Sequence, residues 1–174
     1  MKRLSAPGVA LLLAFTTSPL AAQAVVHACT LLTPMEIAGA VGGTVGKSNE
    51  SQMVVPSGPA QGQTTYACMW SAGEQGMVSV SLMRAVPGQK DIGMAKIKQA
   101  FETLKAQGWT EEKKDFGDIH CARMTPPAAQ KNAPLSTGCF GEAKGMGLGV
   151  GAMGRKATPL EAVKTLFEKA AGRL

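Results

Sequence analysis

One glycine-rich segment ends in the Lys-Ser pair found in many phosphate-binding loops. Residues 41–48 read VGGTVGKS, and a Walker loop requires glycine, four residues and then Gly-Lys-Ser/Thr. The position five before Gly46 holds Val41 instead of glycine. A phosphate-binding loop also follows a strand and precedes a helix, whereas this segment follows a predicted helix. We therefore predict a helix end and a loop here, and no nucleotide site.

A second segment, residues 149–154, matches the Gly-x-Gly-x-x-Gly pattern of dinucleotide-binding proteins. In those proteins the helix begins inside the motif, but here the next predicted helix begins only at Thr158. Glycine instead alternates with apolar residues along this stretch: Gly145, Gly147, Gly149 and Gly151 alternate with Met146, Leu148, Val150 and Ala152. We expect a strand with one apolar face and one bare face. A helix, a sheet or a ligand could approach the bare face closely.

His120 and Cys121 have the side chains of a cysteine–histidine nucleophile. Adjacent residues of a strand point to opposite faces, and we expect Cys121 to be oxidised. The other mature histidine, His27, completes no acid–base set with either residue. The sequence therefore predicts no catalytic residues, no cofactor and no enzyme. The alternative left open is a hydrolase or redox enzyme with an unrecognised site.

The first residues have the organisation of a secretory signal. Lys2 and Arg3 precede the short apolar run 9–15, and Ala22-Gln23-Ala24 has the small-x-small pattern that signal peptidase accepts. We predict a signal peptide over 1–24 and one exported domain over 25–174, periplasmic or secreted. The apolar run is too short to span a bilayer, and we predict no transmembrane segment in the mature chain.

Cleavage after Ala24 would create a metal-chelating end, Val25-Val26-His27. The free amine, two backbone amides and the imidazole could hold Cu(II) or Ni(II) in a square plane. Methionine thioethers could add sites for Cu(I), although none are closely spaced in sequence. A copper-handling protein that uses Val25 and His27 is therefore the first alternative function.

Four cysteines remain in the exported chain, and an even number in such a chain favours disulfides. Four cysteines allow three pairings. We favour Cys29–Cys68 and Cys121–Cys139, because each bond then closes a loop within one half of the chain. None has the Cys-x-x-Cys spacing of a redox centre or zinc site.

The charge of the chain excludes one class of partner. Removing Lys2 and Arg3 from a formal net charge of +6 leaves +4. The basic residues form no run interleaved with aromatic ones, so we expect no nucleic-acid binding. A protein or an envelope component remains the expected partner.

The segments that must position these residues alternate between helices and strands. Thr33, Pro34 and Glu36 predict a capped helix that ends at Gly42-Gly43. Thr158, Pro159 and Glu161 predict a second capping box. A helix over 91–107 places Met94, Ile97, Phe101 and Leu104 on one apolar stripe, and a C-terminal helix places Leu160, Val163, Phe167 and Ala170 on one face. Residues 64–71 and 76–86 predict a hairpin, whose second strand has Val78, Val80 and Leu82 on one face and Ser79, Ser81 and Met83 on the other. The remaining predictions are a loop over 44–63 with a short strand at 53–55, strands at 116–124, 135–142 and 144–152, and a loop at 126–134. This order predicts an α+β domain with a mostly antiparallel sheet and about three packed helices.

The stretch Cys29-Thr-Leu-Leu-Thr-Pro-Met-Glu36 and the later Cys68-Met-Trp70 resemble a group of small exported bacterial proteins, many of them lipoproteins. Their mature chains often open Cys-x-Leu-Leu-Thr-x-x-Glu and carry a later Cys-x-Trp strand. The resemblance implies a Mog1/PsbP-like sandwich, supports pairing Cys29 with Cys68, and brings no catalytic residues. Lipidation of Cys29 is the less favoured alternative, because His27 interrupts the lipobox.

We therefore expect an exported, non-enzymatic domain that acts by binding or by association with the cell envelope.

Overall fold

A computed structural model describes residues 26–57, 61–73, 76–84, 92–130 and 132–174, without the side chains of 92–97. The predicted signal peptide over 1–24 and the predicted chelating residue Val25 lie outside the described residues.

Three helices and seven strands make up the described part of the chain. The helices are α1 (Pro34–Val41), α2 (Ile92–Ala106) and α3 (Leu160–Gly172). The strands are β1 (Ser48–Val54), β2 (Thr64–Ser71), β3 (Met77–Arg84), β4 (Thr110–Phe116), β5 (Ile119–Thr125), β6 (Leu135–Ala143) and β7 (Met146–Gly154). The strands form one sheet in the order β1-β2-β3-β7-β6-β5-β4, and each pair is antiparallel. The predicted α+β class is confirmed.

The core lies on one face of the sheet. Along β3, Val78, Val80 and Leu82 are buried, as the alternation in the sequence predicts, and Val80 lies opposite Val150 of β7. Helix α3 packs on this face. The buried residues of α3 are Leu160, Val163, Leu166, Phe167 and Ala170. We call this side of the sheet the helix face.

Helix α1 begins with the predicted capping box. The hydroxyl of Thr33 accepts the N–H of Glu36 at 3.3 Å, and the Glu36 carboxylate accepts the N–H of Thr33 at 2.9 Å. Leu32 and Ile37 are both buried, as a hydrophobic staple requires. The chain leaves the helix through Gly42, whose φ is 79°.

The second predicted capping box is wrong. Pro159 occupies the cap position of α3, and no side chain caps the helix. The carbonyl of Thr158 instead accepts hydrogen bonds from the Thr137 hydroxyl and the Arg123 guanidinium. The Glu161 carboxylate accepts one from Lys114 at 2.6 Å. Thr158 and Glu161 therefore bond to residues of the neighbouring strands, whereas a capping box would have bonded them to each other.

The sequence missed most of both edge strands. The segment predicted as a loop with a short strand at 53–55 contains the seven-residue β1, and the charged segment TEEKKDF forms β4. The predicted strand 116–124 is in fact the end of β4, a turn at Gly117-Asp118, and β5. An edge strand has one unpaired side and here little burial, so its sequence lacks the alternation on which the prediction depends.

The remaining boundaries differ by a few residues. The strand predicted to begin at Lys144 begins at Met146, because Lys144 and Gly145 have φ angles of 50° and 75° and form the turn between β6 and β7. The predicted helix 91–107 is confirmed as α2. Of its predicted apolar stripe, Phe101 and Leu104 are half-buried, whereas the side chains of Met94 and Ile97 lie outside the described atoms.

Both predicted disulfides are confirmed. Cys121 and Cys139 face each other directly across β5 and β6 and cross-link the two strands. The second bond joins Cys29, in a single helical turn at Ala28–Thr30, to Cys68 in β2. Because the sulfur of Cys29 is bonded to that of Cys68, it cannot also form the thioether that lipidation requires.

Candidate binding cleft

The bare side of β7 lies on the face of the sheet opposite α3. We call this surface the glycine face. It includes these outward residues of β3, β7, β6 and β5: Ser79 and Ser81 of β3, Gly147, Gly149 and Gly151 of β7, Ser136, Gly138 and Phe140 of β6, and Ala122 and Met124 of β5. The register places Ser81, Gly149 and Phe140 in one row, and Ser79, Gly151 and Gly138 in the next.

A cleft of about 160 Å³ lies on the glycine face. Phe101 of α2 forms one wall, Phe140 of β6 forms another, and Met124 and Ala122 contribute apolar surface from β5. The sequence predicted both a bare face on β7 and an inward Phe101, and the structure brings them together. Phe140 was not identified from the sequence, although strand alternation places Phe140 on the same face as Ser136 and Gly138.

The glycines of β7 make this space available. A Cβ atom added at Gly149 would lie 2.7 Å from the Ser81 hydroxyl oxygen and 3.1 Å from the Phe140 ring. A Cβ added at Gly151 would lie 3.2 Å from the Ser79 hydroxyl oxygen. The bare face therefore allows both close packing and an open space. It accommodates the Phe140 ring, and it also forms the floor of a cleft.

Three serine hydroxyls give the cleft its polarity. Ser79, Ser81 and Ser136 line it, and within the described part of the chain none of the three hydroxyls bonds to a protein atom. A hydroxyl both donates and accepts. The cleft thus combines aromatic walls with polar groups available to a ligand.

One ion pair joins α2 to the sheet, one helical turn after Phe101. Lys105 of α2 lies 3.4 Å from the Glu111 carboxylate of β4, whose side chain is only 6% exposed. The hydrogen bond to Glu102, and to a lesser extent the one to Glu111, raises the pKa of Lys105, so this lysine remains charged. Glu111 also pairs with Lys113 at 3.2 Å. Glu111 lies opposite Met124 in the register, which places this anchor beside the cleft.

The histidine and cysteine considered for nucleophilic catalysis point apart. Cys121 is buried on the helix face in its disulfide. His120 lies on the opposite face, where its Nδ1 is 2.8 Å from an Asp115 carboxylate oxygen. The sequence missed this pair, which spans the turn between β4 and β5. An aspartate-oriented imidazole can act as a base, but Ser81 lies three strands away across the sheet.

His27, the proposed copper ligand, contacts Glu50 of β1. Its Nδ1 lies 3.3 Å from one carboxylate oxygen, and the other oxygen accepts the N–H of Cys29. The bond with His27, helped by that N–H, lowers the pKa of Glu50. Nδ1 is the ring nitrogen that closes a six-membered chelate with the backbone amide of His27. A square-planar site would therefore have to break the contact with Glu50.

The two glycine-rich motifs lie in backbone unsuited to phosphate binding. Val41 ends α1, and the Lys47-Ser48 pair leads into β1. The Gly149–Gly154 motif lies wholly within β7. Neither is a strand-to-helix turn, the geometry in which backbone amides surround a phosphate.

The described residues hold neither a metal-binding cluster nor a membrane-spanning helix. They contain no group of three histidine, cysteine, aspartate or glutamate side chains placed to hold a metal ion. No helix among them has both the length and the apolar character to cross a bilayer.

Comparison with known proteins relates this chain to a solved fold. No protein-family model matches the sequence, and no curated protein matches it. Its structure is similar to the crystal structure of the extracellular domain of PknH from Mycobacterium tuberculosis, with a TM-score of 0.55 and 16% sequence identity. The alignment covers 83% of this chain and 93% of that domain. The described chain therefore has the fold of that extracellular domain.

Proposed function

We propose that this protein is an exported, non-enzymatic binding domain, and that the cleft on the glycine face receives its ligand. The observation that carries the proposal is the joint placement of a glycine floor, two aromatic walls and three available hydroxyls around one space. Binding sites are commonly concave and mostly apolar, with a few polar groups that fix orientation.

Export is supported by several independent features. The N-terminal sequence has the organisation of a secretory signal, and all four cysteines are paired. Disulfides persist in oxidising compartments and are rare in the cytosol. The structurally similar domain of PknH is an extracellular domain. The Cys29–Glu36 and Cys68–Trp70 motifs, which resemble small exported bacterial proteins, agree with this proposal.

The size of the cleft limits what it can hold. Sites for drug-sized ligands occupy about 300–1,000 Å³, whereas a cavity of about 150 Å³ accommodates a benzene ring. A space of about 160 Å³ therefore suits one ring or one side chain of a larger partner. The walls favour an apolar body, and the serine hydroxyls favour an adjacent polar atom.

A pair of small probes tests this proposal. Benzyl alcohol and toluene share a ring, but only benzyl alcohol can bond to a serine hydroxyl. We expect saturable shifts of the Gly149 and Gly151 amide resonances with both probes. Binding should be weak, with a Kd of about 1 mM for benzyl alcohol, and benzyl alcohol should bind more tightly than toluene. Ser81→Ala should reduce the difference between the two probes, because it removes a hydroxyl at the floor while keeping the space.

The control is Thr165→Ala on α3, whose hydroxyl bonds to the Glu161 carbonyl on the other side of the sheet. It should leave both titrations unchanged. Shifts that do not saturate, or that spread evenly over the protein, would contradict a cleft that binds ligands. A specific catalytic turnover by the fully oxidised protein would contradict the non-enzymatic part of the proposal.

A further inference from the structure

The strand β1 forms an exposed edge of the sheet. All seven of its residues are exposed, and no other described strand pairs with its outer side. Its sequence, SNESQMV, contains one charged residue. The apolar residues Met53 and Val54 are 65% and 55% exposed. The opposite edge strand, β4, reads TEEKKDF, with five charged residues of seven. Charged side chains protect an edge from pairing, so β4 is protected and β1 is not.

The hydrogen bonds next to β1 show which of its backbone groups point outward. The N–H of Val55 bonds to the carbonyl of Gln63 at 2.8 Å, so Val55 faces the β2 side. In an antiparallel pair the hydrogen-bonded residues alternate. The outward N–H and C=O groups of β1 therefore belong to its even-numbered residues: Ser48, Glu50, Gln52 and Val54.

We propose that β1 pairs antiparallel with β1 of a second copy of this chain, about a two-fold axis at Ser51. This register places Glu50 opposite Gln52 of the second copy, and Ser48 opposite Val54. Every outward group of the strand then has a backbone partner. An interface of this kind is self-complementary, as a two-fold dimer requires.

Charge and backbone chemistry select this register over its neighbours. A two-fold axis at Glu50 would place two carboxylates directly opposite each other, which is destabilising. An axis at Gln52 would place Ser48 opposite Pro56 of the second copy, and proline has no N–H to donate. With the axis at Ser51, the charged residue faces a neutral amide, and Met53 faces Asn49.

The size of the interface sets the expected strength. Seven residues from each copy are well below the roughly 20–30 residues a side of a standard interface. We therefore expect a weak dimer, whose population rises over protein concentrations from about 10 μM to about 1 mM.

Sedimentation velocity on the exported, oxidised protein tests the register. Residues on the two-fold axis face their own copies, about 4.5 Å apart between Cα atoms in a non-hydrogen-bonded pair. Ser51→Lys and Ser51→Glu should each be monomeric, because each places like charges together. An equimolar mixture of the two should dimerise at least as well as the wild type. Recovery on mixing is specific to Ser51, since only an axial residue opposes itself.

Two further variants separate pairing from general effects of charge or folding. Gln130→Lys adds a charge at an exposed residue of the connection between β5 and β6, two strands that lie towards the other end of the sheet from β1. This variant should dimerise like the wild type. Gln52→Pro removes an outward N–H while sparing the ladder to β2, and should be monomeric. A wild type that stays monomeric over the whole concentration range would overturn the proposal. So would a dimer that persists in Ser51→Lys, or a mixture that stays monomeric.

Discussion

Arg173 binds Glu36 through two parallel hydrogen bonds, each 2.7 Å long, and so joins the end of α3 to the first turn of α1. The same guanidinium donates to the carbonyl of Leu31 at 2.7 Å. Glu36 also completes the capping box with Thr33, and Lys169 lies 3.5 Å from its carboxylate. One carboxylate thus caps a helix and anchors a second one.

We expect the Glu36 carboxylate to make stability depend on acid pH. Its bonds to Arg173 and to Thr33 hold the pKa of Glu36 far below its ordinary value of 4.5. Its stabilising contribution is therefore complete above pH 4.5 and is lost as the pH falls, because the unfolded chain takes up the proton first. Glu36→Gln should lower Tm at pH 7 by about 2–4 °C. It should also flatten the fall of Tm below pH 4.5.

Glu161→Gln is the matched control for this measurement. Glu161 also bonds to a lysine, which lowers its pKa, but its side chain is 60% exposed and bonds to one other described residue only. Its effect on the acid dependence of Tm should be smaller. Equal slopes for Glu36→Gln and the wild type below pH 4.5 would contradict this account of Glu36.

The two threonines of the predicted capping boxes should respond differently to truncation. Thr33→Ala removes a hydroxyl that accepts the N–H of Glu36, and should lower the free energy of unfolding by about 1 kcal/mol. Thr158→Ala should cost less than about 0.5 kcal/mol, because Thr158 contributes only its carbonyl. Urea denaturation of both variants measures the difference. A loss at Thr158 equal to that at Thr33 would restore the second box.

Local patterns predicted what local contacts determine. The cap at Thr33, the alternation of Val78, Val80 and Leu82, and the buried stripe of α3 could all be read from the sequence because each residue's role depends on neighbours a few positions away. The partners of Thr158 could not be predicted, since Thr137 and Arg123 reach it only once the sheet has formed.

The candidate cleft was predicted in the same partial way. The bare face of β7 and the outward Ser79 and Ser81 follow from strand alternation. Its closure depends on the strand order, which places Phe140 beside Gly149, and on the packing of Phe101 from α2. The edge strands were missed because an exposed strand needs no hydrophobic pattern, and its partner is remote in sequence.

Removing the two disulfides one at a time should give unequal losses of stability. The Cys29–Cys68 bond spans 39 residues and the Cys121–Cys139 bond spans 18. In the chain-entropy model these loops correspond to about 4 and about 3 kcal/mol. We expect the Cys29→Ala, Cys68→Ala double variant to unfold at lower urea concentration than the Cys121→Ala, Cys139→Ala double variant. The reverse order would show that native packing around Cys139 outweighs loop length.

Two glycines of β7 should differ sharply in their tolerance of alanine. A Cβ at Gly149 meets the Ser81 hydroxyl oxygen at 2.7 Å and the Phe140 ring at 3.1 Å, whereas a Cβ at Gly147 meets only the Met83 carbonyl, at 3.4 Å. Gly149→Ala should cost about 1–3 kcal/mol, as overpacking does. Gly147→Ala should be close to neutral or slightly stabilising, because alanine restricts the unfolded chain more than glycine does.

The same pair of variants separates packing from ligand binding. Gly149→Ala displaces Ser81 or Phe140 into the cleft and should weaken benzyl alcohol binding about tenfold, equivalent to about 1.4 kcal/mol. Gly147 does not line the cleft, so Gly147→Ala should leave the titration unchanged. Chemical denaturation and the amide titration must therefore rank the two variants in the same order. A Gly149→Ala protein that is destabilised but binds benzyl alcohol like the wild type would leave the bare face with a packing role alone.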